Sequence, residues 1–121
     1  MRKILIAEDS STIRSMIVST LDMLGDFEFV ETPNGFEALK MLPRERYDLI
    51  ITDINMPDIN GLELVNFIKK SENYKNIPLF IISTEGSAND VKKGLALGAN
   101  EYVVKPFKPE ELQKIVMKYL K

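Results

Sequence analysis

The chain has 121 residues, no cysteine and no histidine, and its sixteen basic and eighteen acidic residues leave a formal net charge of −2. This length predicts one domain, 1–121, able to bury a core without disulfides. The composition excludes thiol nucleophiles, thiolate or imidazole metal ligands and a histidine general base, and so balanced a charge argues against direct nucleic-acid binding.

No apolar run approaches the ~20 residues of a membrane span. The first strand meets acid at Glu8, too early for the apolar core of a secretory signal. A soluble, cytoplasmic protein without membrane insertion is expected.

Ile4 to Ala7 reads as a buried strand ending in Glu8-Asp9. Ser10-Ser11-Thr12 offers a helix cap. Ile13, Met16, Ile17, Leu21 and Leu24 follow at helical steps until Gly25. Phe27 to Val30 is a second strand, nearer an edge. Asn34-Gly35 reads as a turn, Phe36, Leu39 and Leu42 as a short second helix, and Pro43 as its end.

Leu49 to Thr52 is a short apolar strand that stops at a carboxylate, Asp53. Met56-Pro57-Asp58 and Asn60-Gly61 are turn formers. Leu62, Leu64, Val65 and Ile68 carry a third helix, with Lys69 and Lys70 favourably placed in its last turn. Leu79 to Ile82 is the fourth strand and ends in Ser83-Thr84-Glu85. A fourth helix runs through Val91, Leu95 and Leu97 to Gly98. Tyr102 to Val104 is the fifth strand and ends at Lys105. Pro109 opens a last helix, with Leu112, Ile115, Val116 and Tyr119 inward and its end at Lys121.

Five strands alternating with five helices predict a parallel α/β sheet wound on both faces. Unbroken rather than alternating apolar strands agree with a sheet buried on both sides. In such a sheet all C-terminal strand ends share one edge. That edge collects Glu8, Asp9, Asp53, Ser83, Thr84 and Lys105. Each has an ordinary reading by itself: a turn or cap acid, a solvated helix start, a capping serine, a surface ion pair. Together they suit phosphoryl transfer. Clustered carboxylates repel one another, and a hard divalent cation such as Mg²⁺ relieves that. An ammonium and hydroxyls would neutralise and align the transferring oxygens.

Glu8-Asp9, Asp53 with Met56-Pro57 and Gly61 behind it, Ser83-Thr84 and Val104-Lys105-Pro106-Phe107 resemble the receiver domain of two-component response regulators. The similarity spans the whole chain and is strongest to stand-alone chemotaxis-type regulators. It implies a flavodoxin-like strand order of 2-1-3-4-5. It implies that Asp53 accepts a phosphoryl group from the histidine of a sensor kinase. Asp9, Asp53 and the main-chain carbonyl of Asn55 would ligate Mg²⁺, with Glu8 acting through water. Ser83 and Lys105 would bind phosphoryl oxygens. Tyr102 would be an aromatic switch that follows Ser83. Asn55, Thr84 and Glu85 would tune phosphate lifetime. Three positions depart from the common pattern: Glu8 where Asp is commoner, Ser83 for Thr, and Thr84 for a smaller residue.

The resemblance further implies a protein target on the fourth helix, fifth strand and fifth helix. Lys92, Lys93, Lys108, Lys114 and Lys118 make that region basic, either as ordinary solvated faces or as a dock for an acidic partner. Tyr102 without the resemblance is a half-buried strand aromatic. The rivals are a receiver of a longer DNA-binding regulator or phosphorelay, an aspartyl-phosphate phosphatase and a nucleotide or flavin module. The phosphatase lacks its second acid, since that place is Asn55. The nucleotide module lacks any glycine-rich phosphate loop.

Overall fold

The computed structural model describes residues 1–120. The elements run β1 Arg2–Ala7, α1 Ser11–Asp22, β2 Phe27–Thr32, α2 Gly35–Met41, a 3-10 turn Leu42–Arg44, β3 Leu49–Thr52, α3 Gly61–Lys70, β4 Leu79–Ser83, α4 Ala88–Ala96, β5 Glu101–Val104 and α5 Pro109–Tyr119. All neighbouring strands pair in parallel in the order β2-β1-β3-β4-β5. This is the expected flavodoxin-like α/β fold with five helices. The expected helix end at Lys121 lies outside the described residues.

Successive strand residues face opposite sides, so the apolar runs feed two cores. Ile4, Ile6, Leu49, Ile51, Phe80, Ile82 and Val103 pack with Ile17 and Leu21 of α1 and Leu112 and Val116 of α5. Leu5, Ala7, Ile50, Leu79 and Ile81 pack with Ala38 of α2 and Leu64, Val65 and Ile68 of α3. This is why the strands read as continuous rather than alternating.

Several local expectations change. β1 starts at Arg2 and β2 continues to Thr32. Both ladders extend because Arg2 to Ala7 pairs in full with Phe27 to Thr32. Asn34-Gly35 is a helix start rather than a free turn: Asn34 Oδ1 accepts from Glu37 N at 2.8 Å. That start turns Phe36 outward, 54% exposed, and buries Ala38 in its place, while Leu42 is buried as expected. Pro43 does not stop the helix abruptly. It sits in the 3-10 turn that prolongs α2, where a missing amide hydrogen bond costs little.

On α1, Met16 is exposed and Thr20 takes a buried place. On α4 the stripe fails most clearly. Leu95 is 45% exposed, and Gly94 is the buried residue of that helix. A Cβ at Gly94 would meet Tyr102 Cδ2 at 2.9 Å and Ile81 Cδ1 at 2.8 Å. α4 therefore rests on the sheet through a glycine, not through an apolar ridge.

Candidate functional site

The site residues stand one step beyond the strands, and the ladder places them. Asp53 N donates to Ala7 O at 3.0 Å, Glu8 N to Thr32 O at 3.0 Å, and Lys105 N to Ser83 O at 2.8 Å. Each functional side chain thus leaves from the last hydrogen-bonded rung, where the backbone is still held by its neighbour strand. Gly61 closes the loop behind Asp53. Its N donates to Ile54 O at 2.8 Å, and a Cβ there would overlap the Asp53 carbonyl.

Asp53 is buried, 7% exposed, and so is Glu8 at 2%. Lys105 Nζ bridges them, 2.7 Å from Glu8 Oε1 and 3.2 Å from Asp53 Oδ2. Asp53 Oδ1 accepts from Ile54 N at 2.6 Å, and Glu8 Oε2 from Ser10 N at 3.0 Å. Asp9 completes the group from an exposed position. Glu8, Asp9 and Asp53 each bring a carboxylate oxygen within 4.8 Å of the others. Burial pushes the Glu8 carboxyl above its usual value, and the Asp53 charge pushes the same way. The bonds from Lys105 and Ser10 pull it back only in part. Three acids against one ammonium leave excess negative charge in a small, oxygen-only pocket. That donor set fits a hard divalent cation.

The other expected residues gather on the β4–α4 side. Ser83 is fully buried, and its Oγ accepts from Glu85 N at 3.1 Å. Its hydroxyl is thus turned to its own loop, with no hydrogen bond to Asp53 or Lys105 among the described residues. Asn55 Nδ2 donates to Glu85 Oε1 at 3.0 Å across the mouth of the site. The Tyr102 hydroxyl donates to the Glu85 carbonyl, and burial raises that phenol's pKa. Glu85 is therefore the node that joins Asn55, Ser83 and Tyr102. Thr84 is exposed and lines an apolar cavity of about 280 Å³ with Ile13, Met16, Lys105, Pro106 and Phe107.

One contact was invisible to the sequence reading. Arg14 Nη1 donates to the main-chain carbonyl of Glu8 at 2.7 Å. Its only sequence signal is position: it lies one turn before Ile17 and two before Leu21, on the flank of the buried stripe.

Residues 4–117 match the family model described as the response regulator receiver domain. The chain belongs to that family. This receiver is 41% identical over 113 residues to a chemotaxis protein CheY homolog of Campylobacter jejuni, covering 93% of the chain and 87% of the relative. It superposes on the chemotaxis protein CheY4 of Vibrio cholerae with a TM-score of 0.89 at 38% identity, covering 98% of both chains. A receiver domain of a sensor histidine kinase from Pseudomonas aeruginosa, with a magnesium ion coordinated in its active site cleft, is 29% identical with a TM-score of 0.88, covering 98% of this chain and 97% of that one. The receiver is a phosphorylation-dependent signalling switch, not a metabolic enzyme. No helix among the described residues is long and apolar enough to cross a membrane.

Proposed function

We propose that this receiver, acting as one unit over 1–121, is a cytoplasmic, chemotaxis-type regulator switched by phosphorylation of Asp53. The observation that carries the reading is the Asp53 carboxylate at a buried strand end, 3.2 Å from Lys105 Nζ and within 4.8 Å of two further acids. A carboxylate oxygen of Asp53 attacks phosphorus, and the leaving group departs with the bond's electron pair. The chain has no histidine, so the donor is another molecule, a sensor kinase or a small acyl phosphate. Hydrolysis of the aspartyl phosphate returns the switch to rest.

Asp9, Asp53 and the Asn55 carbonyl would hold Mg²⁺, with Glu8 through water, as the family resemblance implies. Bound there, the cation supplies charge neutralisation for the transferring oxygens. Lys105 can turn from the carboxylates to a phosphoryl oxygen without leaving the pocket. Ser83 reaches the same oxygens by giving up its bond to Glu85 N. That release frees the Glu85 node, on which Tyr102 and Asn55 converge, and so passes the event to α4 and β5. Asn55, Thr84 and Glu85, exposed beside the site, tune phosphate lifetime. The basic face of α4, β5 and α5 then meets a protein target. A phosphatase reading is not favoured, because Asn55 occupies the place of the second acid.

Intact mass after incubation with Mg²⁺ and a small acyl phosphate tests this. One labile phosphoryl group is expected on the wild type. It should be absent from Asp53→Asn and from a chelated sample. No adduct on the wild type would sink the reading.

A further inference from the structure

Arg14 lies in the first turn of α1, and its side chain is only 18% exposed. The helix does not need it there, since the Ser10 side chain already caps α1 by accepting from Ile13 N at 3.2 Å. A guanidinium carried into a buried position costs desolvation and must be held by partners. Its partners are specific. Nη1 donates to the Glu8 carbonyl at 2.7 Å. Nε, buried and without a hydrogen bond among the described residues, lies 3.5 Å from Glu31 Oε1 at the end of β2.

The Glu8 carbonyl belongs to the peptide that joins Glu8 to Asp9. The tilt of that one plane sets the departure of both acid side chains. Glu8 is otherwise tied at its amide to Thr32 O and at its carboxylate to Ser10 N and Lys105 Nζ. Among the described residues, Arg14 is the one that holds the carbonyl side. We propose that Arg14, oriented by Glu31, is a positioning residue that locks the Glu8–Asp9 peptide so that the two carboxylates converge on Asp53 in advance of the cation. The inference rests on the receiver reading above.

Two opposed effects separate positioning from simple charge. Arg14 is a cation near three acids, so a purely electrostatic role makes its removal tighten Mg²⁺ binding. The Glu31 carboxylate already offsets much of that field. Positioning makes removal weaken binding, because freed acids must be ordered when the cation arrives. Residues that orient ligands from behind typically carry a 10-fold or greater effect on metal affinity. Lysine keeps the charge but lacks the fork that spans Glu8 O and Glu31.

The experiment is calorimetric titration of Arg14→Gln, Arg14→Lys and wild type with MgCl₂, at a temperature where each is folded by circular dichroism. About 10-fold weaker affinity is expected for Arg14→Gln, and a smaller loss for Arg14→Lys. The Mg²⁺ midpoint of phosphorylation should move in parallel while the rate at saturating Mg²⁺ stays close to wild type. Should Arg14→Gln fail to fold, Arg14→Lys alone decides by the same sign. Unchanged or tighter affinity in the folded variants overturns the inference and leaves the receiver reading intact. No Mg²⁺ binding by the wild type overturns the proposed Mg²⁺-assisted phosphorylation of Asp53 and this inference with it.

Discussion

At the scale of single residues, Lys105 is the member that holds the acid cluster together. Its ammonium is the common partner of two buried carboxylates, Glu8 and Asp53. Removing one partner of a buried pair leaves an uncompensated charge and costs more than the pair itself contributed. Lys105→Met is expected to destabilise the metal-free protein by about 3 kcal/mol. Added Mg²⁺ should recover part of that loss, because a ligand bound only by the folded state stabilises it. Urea melts with chelator and with Mg²⁺ check both halves. A loss no larger in chelator than in Mg²⁺ would refute the shared-counterion role. Glu8, Asp53 and Lys105 were legible from sequence because each abruptly ends an apolar run. Arg14 was not, because a lone arginine in a helix's first turn looks like any solvated residue until the carbonyl it holds is seen.

At the scale of elements, the β3–α3 loop is fastened to a helix it does not precede. Asp58 accepts from Phe36 N at 2.9 Å and Gly35 N at 3.3 Å, the first amides of α2. Asn34 caps the same helix from the position just before it. Two acceptors therefore share the free amides of one short helix. A Cβ at Gly35 would meet Ile59 O at 2.7 Å, so loop and helix touch closely there. Desolvation raises the Asp58 pKa, but the amides of Ile59, Phe36 and Gly35 outweigh it, and the net shift is downward. The sign then follows from linkage. An acid with a depressed folded pKa stabilises fully above its unfolded value, about 3.8, and loses that contribution as pH falls through the folded one. Asp58→Ala should therefore lower the melting temperature at pH 7, and the gap from wild type should close as the pH drops below that value. A gap independent of pH would mean that the carboxylate charge is irrelevant. From sequence, Asp58 was a turn former only, since nothing in its neighbourhood names a partner 22 residues earlier.

At the scale of the whole molecule, the five helices are unequally fastened to the sheet. α1, α2, α3 and α5 each present buried aliphatic side chains or an alanine, while α4 offers Gly94 alone. The helical spacing of Val91, Leu95 and Leu97 suggested a fourth buried stripe. It misled because β5 is an edge strand and leaves α4 little sheet to cover. The parallel α/β architecture and the acid cluster were legible, since buried parallel strands and their terminal charges are written locally, whereas the strand order came only through the family resemblance. How firmly a helix is held is not legible, because it depends on what lies beneath it. A weakly packed element next to a charge-changing site is where a two-state response costs least. Tyr102 lies over Gly94 with its hydroxyl on the Glu85 carbonyl, so the ring's seat depends on the missing Cβ. Gly94→Ala gains helix propensity of about 1 kcal/mol but crowds the ring at 2.9 Å and the Ile81 tip at 2.8 Å. Ile81 is fully buried and Tyr102 only partly so; the ring has room to move outward and yields. Displaced into water, the phenol loses the burial that raises its pKa and titrates nearer its ordinary value of about 10. Absorbance titration of wild type and Gly94→Ala, each differenced against its Tyr102→Phe counterpart, reads that one phenol. Asp53 phosphorylation should proceed normally in the variant, while coupling of phosphate to Tyr102 is lost. An unmoved Tyr102 titration would place the yielding atoms in α4 itself and break the proposed link between that helix and the ring.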